Sequence, residues 1–440
     1  MTLDIRTVDR WVDDHGRIVD EESGGLPVLE LKEHEENVKW VGNDFAISPD
    51  EQKSIDTLEN VYGIQITNVF DGIRISANEY VGVIQFEKFI LNVKPKFIKF
   101  KNFGRLLDFA NHIPPEQFDD EVRFDEKFDH PIEHVIGSFL VSVEKLIQHG
   151  IYKSYVEHQD DVSFLRGKLI MKNQILNDIK FNMKFNCEFD EFTSNNLENQ
   201  IIRFTLERCK FMTKFPHRKK LIQKLISRLD SQIELKRRIV VDDFRKIAYT
   251  RLNAQYEDPH KLAKLILQNI GLQSFNYQRT KFIVPFFVRM WDLWEQFLGN
   301  LFENYYDDSV RVGQQEHHSA WLIQSESHPI KPDMVLYRNG KILTVADAKY
   351  MHQLEIGGKE LYQIAFYINH LRLSTGYAIL PYENTQNYEV KVPKQDISIK
   401  VIHIPIDEYL DILYSKKSQN DIKKEMSSKL KKLIPLQNAV

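Results

Sequence analysis

The chain has 440 residues, 42% hydrophobic and 12% aromatic, enough for packed cores in roughly two to four domains of about 100–200 residues each. That composition excludes disordered, collagenous and small disulfide-stapled proteins, and a formal net charge of −4 lacks the basic footprint usual in a nucleic-acid binder. Cys187 and Cys209 are the only cysteines, too few for a zinc ribbon or a disulfide framework; both read as apolar packing residues in a reducing interior.

Residues 1–50 carry 13 acidic and 5 basic side chains, with Asp13-Asp14 and Glu21-Glu22 pairs and a Gly24-Gly25 break. Residues 1–55 therefore read as a solvated or partner-facing acidic leader, without the apolar run of a signal peptide. No segment reaches the roughly 18–20 apolar residues of a membrane span, so a cytoplasmic location and no membrane partner are expected. Short strands with turn signals follow at Ile64–Thr67, Ile73–Ile75, Tyr80–Ile84 and Phe89–Val93, predicting a β-rich module over 56–130 that closes on a helix from Asn102.

Residues 131–275 read as a mainly helical middle domain, with helices over Ile132–Gln148, Asn195–Met212, Leu221–Ile233 and Asp258–Leu267 and a polar strand-like excursion near Val162–Ile170. Within it, 218–251 holds 11 Lys/Arg against 4 Asp/Glu, a solvated helical face or a DNA-backbone surface. Residues 276–414 alternate between types: a long aromatic helix over Phe286–Tyr306, strands near 310–314, 320–324, 333–337 and 341–349, a helix over Leu361–Leu371, and strands at Gly376–Leu380 and Ile399–Ile404. That order describes a compact α/β domain. The tail, 415–440, is a lysine-rich helix with seven lysines against two acids over 415–433. The fold class expected is multidomain α+β and α/β.

The chemistry concentrates in Lys331-Pro332-Asp333 to Asp347-Ala348-Lys349-Tyr350. Asn339-Gly340 between two β-rich runs is a strong hairpin signal, because a type I′ turn wants positive φ at both central residues. Asp333 and Asp347 then lie on paired strands, and a period of two puts Asp347 and Lys349 on one face. Two carboxylates and an ammonium at the end of a buried strand are costly unless paired or metal-bound. Mg²⁺ (or Mn²⁺) answers that cost with one or two carboxylates, several waters and room for a phosphate. Lys349 would then serve the attacking water and the charge on the scissile phosphate. A surface hairpin with a Lys349 salt bridge is the structural alternative.

Pro332-Asp333, 13 intervening residues, then Asp347-Ala348-Lys349 resembles the PD-(D/E)xK nuclease motif. The resemblance implies a restriction-endonuclease-like C-terminal domain with metal ligands Asp333, Asp347 and the Ala348 main-chain carbonyl. Glu295, on the preceding helix, matches the acidic residue that often completes the metal site; the polar face of an aromatic helix is its plain alternative. Gln363-Ile364-Ala365-Phe366-Tyr367 matches a QxxxY element, placing Gln363 and Tyr367 one turn apart toward the site, or simply on an amphipathic helix.

Further segments, Tyr80–Ile84, Leu91–Phe97, Phe164–Leu169, Asp190–Gln200 and Arg251–Asn253, make the chain similar to McrC-like endonuclease subunits of McrBC 5-methylcytosine-specific restriction systems. The resemblance implies double-stranded DNA as substrate and a hexameric AAA+ GTPase (McrB-like) partner that the subunit caps and stimulates, with the β-rich N-terminal part as the partner-binding half. No GxxxxGK[ST] phosphate loop occurs, since Gly357-Gly358-Lys359 lacks the leading glycine and the hydroxyl, so any nucleotide hydrolysis falls to a partner. Three alternatives remain: a related subunit reading an unmodified sequence, a RecB-like standalone repair nuclease, or an activator scaffold with a vestigial site.

Overall fold

The structure is a computed structural model, which describes residues 5–7, 28–41, 47, 51–70, 72–112, 131–213, 215–229, 233–270, 286–323, 326–351, 356–382, 386–393 and 396–435. Two compact units emerge, one from Met1–Pro131 with Leu272–Val440, the other Ile132–Gly271. The architecture is mixed α+β. The acidic pairs Asp13-Asp14 and Glu21-Glu22 and the Gly24-Gly25 break lie outside the described residues.

In the discontinuous unit, the N-terminal strands form two four-stranded sheets. One runs Ile5–Thr7, Val38–Val41, Gly72–Ser76, Gln65–Val69; the other runs Phe286–Arg289, Tyr80–Gln85, Ile90–Lys94, Val28–Lys32. Residues 28–41 thus depart from the expected solvated leader. Leu29, Leu31, Val38 and Trp40 are buried, and pack with Ile73, Ile75, Leu91, Val93 and Phe287 under the helix Gln52–Tyr62. The expected helix from Phe286 begins instead at Met290, because Phe286–Arg289 is a strand pairing antiparallel with Tyr80–Val83. Its apolar side chains satisfy either assignment, and the edge of the Tyr80–Gln85 strand decides the matter.

The remainder of this unit is built on a six-stranded sheet in the order Arg311–Gln314, Met334–Arg338, Lys341–Ala348, Thr375–Leu380, Ser398–His403, Tyr388–Lys391. Its three central strands are parallel and its outer pairs antiparallel. The parallel step from Lys341–Ala348 to Thr375–Leu380 requires a crossover, supplied by the helix Gly358–His370. Its Ile364 and Ile368 pack on Val335, Val345, Ala378 and Val401. Gly376 lets that helix come close, since a Cβ there would lie 2.7 Å from Ile368. The lysine-rich helix Gln419–Leu433 buries Ile422, Met426 and Leu430. Four of its neighbourhood's lysines, 417, 423, 429 and 431, are paired with Glu425, Asp308, Glu408 and Asp307.

In the unit Ile132–Gly271, helices Leu197–Met212 and Glu257–Ile270 are present close to the expected bounds, and the helix expected from Leu221 begins earlier, at Pro216, running Pro216–Leu229. The strand-like excursion is larger than expected: Ser154–Val162 pairs antiparallel along all nine residues with Phe185–Thr193, and Lys168–Leu169 adds a short third strand. This arm and its helix Met171–Ile179 carry exposed apolar side chains, among them Phe164, Leu165, Ile179, Phe181 and Met183, the last two at 92% and 96%. Of the basic stretch, Arg218 is buried and bonds Glu133 at 2.8 Å, while the other ten Lys/Arg are exposed. Cys187 and Cys209 are both buried free thiols. Among the described residues, no helix is long and apolar enough to cross a membrane.

Candidate active site

The hairpin forms where the turn signal put it. Asn339 and Gly340 have φ of 51° and 78°, and Met334 pairs with Ala346 and Val335 with Val345. Asp333 immediately precedes the first strand, and Lys349 immediately follows the second. Alternation directs Asp333, Val335, Val345, Asp347 and Lys349 to the face covered by the crossover helix. Ala346 and Ala348 face the other way, and on that side Trp294 Nε1 donates to the Ile379 carbonyl at 3.3 Å.

Polar contacts tie the group together. Asp333 Oδ2 accepts from the Ala348 amide at 2.8 Å. Lys349 Nζ lies 2.5 Å from Asp347 Oδ2 and donates to Gln363 Oε1 at 2.9 Å; Gln363 Nε2 donates to the Tyr367 hydroxyl at 2.8 Å. Lys349 Nζ also stands 5.9 Å from the Trp291 ring centre. The lysine amide is fixed to the Ile379 carbonyl at 2.8 Å, so the ammonium is held from both its backbone and its tip. Asp347 and Lys349 are 2% and 5% exposed, which makes the surface-hairpin alternative physically wrong for this pair.

Burial, then Asp347, then Glu295 push the Asp333 carboxyl well above the usual carboxylate range. Glu295 is raised as well, first by burial, then by Asp292 and Asp347, with Trp291 and Lys349 opposing. Burial likewise raises Tyr367. Like charges are therefore crowded where the strand ends, a situation that a cation relieves. Among the described residues, no three of His, Cys, Asp and Glu converge into a ready cage. Glu295 in particular does not join the two aspartates; its Oε2 accepts from Gln315 Nε2 at 2.5 Å. Two carboxylates with waters nonetheless fit Mg²⁺, which rarely takes an all-protein shell. Asp347 Oδ2, buried against the Lys349 ammonium, is an oxygen suited to that use.

Gln315 is a residue that sequence reasoning missed. Its backbone sits at φ 48°, unusual for a non-glycine residue, its amide donates to the Asp333 carbonyl at 2.9 Å, and its side chain holds Glu295. A glutamine in a loop gives no pattern to find; only the pairing of Gln314 with Met334 brings it to the site.

The chain matches the family model of the McrBC 5-methylcytosine restriction system component over residues 75–382. It is similar to a solved structure from Thermococcus gammatolerans, a refined half-complex from a tetradecameric assembly of McrB AAA+ hexamers with bound McrC. The identity there is 21% and the TM-score 0.50, over 92% of this chain and 100% of that one. A cryo-EM structure of the Thermococcus gammatolerans McrBC complex is similar at 24% identity and TM-score 0.37, over 62% of this chain and 86% of that one. No curated protein matches the sequence. The first of these structures shares the fold, and the family match takes in both the N-terminal strands from Ile75 onward and the Asp333–Lys349 hairpin; the chain belongs to the McrBC 5-methylcytosine restriction system component family.

Proposed function

We propose that this chain is the McrC-like endonuclease subunit of a modification-dependent restriction system, hydrolysing DNA phosphodiesters with Mg²⁺ or Mn²⁺ beside an AAA+ GTPase partner in the cytoplasm. The observation that carries the reading is the buried pair Asp347 and Lys349 beside the half-buried Asp333, wired through Gln363 to Tyr367. A bound divalent cation would supply Lewis-acid polarisation of the scissile phosphate, held by Asp333, Asp347 and the Ala348 carbonyl. Lys349, held against Asp347, orients the attacking water and stabilises charge on the phosphate. Gln363 fixes the lysine rotamer, and Tyr367 fixes Gln363. Glu295, held by Gln315, stands ready to shape the approach of water.

The test is cleavage of methylated and unmethylated plasmid by the chain together with its AAA+ partner, GTP and Mg²⁺, with and without chelator. Cutting of methylated DNA alone, lost on chelation, is the expected result. Cutting of both plasmids would favour an unmodified recognition sequence, and cutting without partner or nucleotide a standalone nuclease.

Partner contact is best assigned to the arm of the Ile132–Gly271 unit rather than to the N-terminal strands. Contiguous exposed apolar surface marks an interaction site; the arm presents Phe164, Leu165, Phe181 and Met183, whereas the apolar side chains of the N-terminal sheets are largely buried. Phe181→Asp with Met183→Asp is expected to weaken partner association at least about tenfold, a modest toll for two interface anchors, with no fall in unfolding temperature. Unchanged affinity in a pull-down titration would return the contact to the N-terminal module.

A further inference from the structure

Glu33 follows the strand Val28–Lys32 and is 0% exposed. Its amide donates to the Lys94 carbonyl at 3.0 Å. Its Oε1 accepts from the Lys96 amide at 2.7 Å and from the Tyr350 hydroxyl, while Oε2 is buried with no hydrogen-bond partner. Tyr350 is the residue after Lys349. Its ring stands edge-on to Phe97, centres 5.2 Å apart, and Phe97 stands 4.8 Å from Tyr382, whose hydroxyl donates to the Met351 carbonyl at 2.7 Å. The segment that leaves the site is therefore gripped by side chains just past the N-terminal strands Val28–Lys32 and Ile90–Lys94, through one aromatic stack and one carboxyl.

A carboxyl is a costly way to make a purely structural contact. Burial raises Glu33 to about 7, against lowering by the Tyr350 hydroxyl, the Lys96 amide and the Lys96 charge, and with Glu79 adding to the rise. A neutral acid here accepts through one oxygen and leaves the other as an unused O–H.

We infer that Glu33 is a positioning residue for the nuclease site: through the Tyr350 hydroxyl it fixes the backbone that carries Lys349, so that the N-terminal strands set the rate of cleavage. The inference rests on the hydrolase reading above. Its test is steady-state cleavage by the full chain with its AAA+ partner, GTP and Mg²⁺. Tyr350→Phe keeps the ring against Phe97 and removes only the hydroxyl; it and Glu33→Leu are expected to lower kcat about tenfold, the value of roughly one hydrogen bond, with KM for DNA within about twofold. Glu33→Gln, whose amide oxygen can accept both bonds, is expected to stay within about twofold of the unaltered chain. Full kcat in Tyr350→Phe, or a Glu33→Gln variant as slow as Glu33→Leu, overturns the positioning role and leaves the hydrolase reading intact. No cleavage by the unaltered chain overturns that reading first.

A second readout needs no cleavage. An acid whose pKa is raised on folding contributes stability that is fully present below its unfolded value, here 4.5, and is lost as pH rises through its folded value, about 7. The unfolding temperature of the unaltered chain should therefore fall relative to Glu33→Gln between those two pH values. A constant difference would refute a proton held on Glu33.

Discussion

Asp347→Asn is expected to lower DNA cleavage by about 10³-fold, the scale of losing a preorganised electrostatic group at a reacting phosphate, while partner binding and stimulation of the partner's GTPase survive. Asp347 touches Lys349 and crowds Asp333, so its removal strikes the lysine together with the carboxylates that, on the proposed reading, would hold the cation. No residue of the exposed arm is altered. Asp333→Asn carries the complementary signature. Its amide oxygen still accepts from the Ala348 amide, but the carboxyl that burial and Asp347 disfavour is gone; cleavage is lost and the unfolding temperature in chelator rises. Stability gained where activity is lost is the mark of a functional site rather than a structural ion pair. Cleavage by Asp347→Asn at more than a tenth of the normal rate would remove this hairpin from the mechanism.

Trp40→Ala is expected to cost about 3–5 kcal/mol in urea denaturation, the range for a fully buried aromatic side chain. Truncation to residue 51 should do more, since it takes Leu29, Leu31, Val38 and Trp40 out of the same core. A loss under about 1 kcal/mol for Trp40→Ala would mean that these strands are dispensable, as a leader would be.

Residues 28–41 show how a charge average hides a strand. Leu29 and Leu31 face inward; Glu30 and Lys32 point outward, and Glu30 pairs with Lys94. The acidity is the outer face of a half-buried strand, and a fifty-residue window cancels the period of two that marks it. The arm hides for the opposite reason: Ser154–Val162 has no fully buried position, so there is no apolar face to alternate. The hairpin was readable because Asn339-Gly340 fixes its register locally. Asp333, Asp347 and Lys349 accordingly come together as the hairpin spacing implied, and Gln363 and Tyr367 join them as the motif resemblance implied, whereas Gln315 and Glu33 reach the neighbourhood only through pairings distant in sequence. The tail was half readable, since its helix forms but its lysines largely face nearby acids.

The interleaving of the two units has a consequence for how the chain is made. Val83 must wait for Phe286 to complete its sheet, and the whole Ile132–Gly271 unit is synthesised in between. At about 5–20 residues per second, a separation of roughly 200 residues leaves the Tyr80–Gln85 edge open for on the order of 10–40 s. An edge strand left unpaired for that long presents free backbone groups to other chains, so this sheet edge is exposed to mispairing until Phe286–Arg289 emerges.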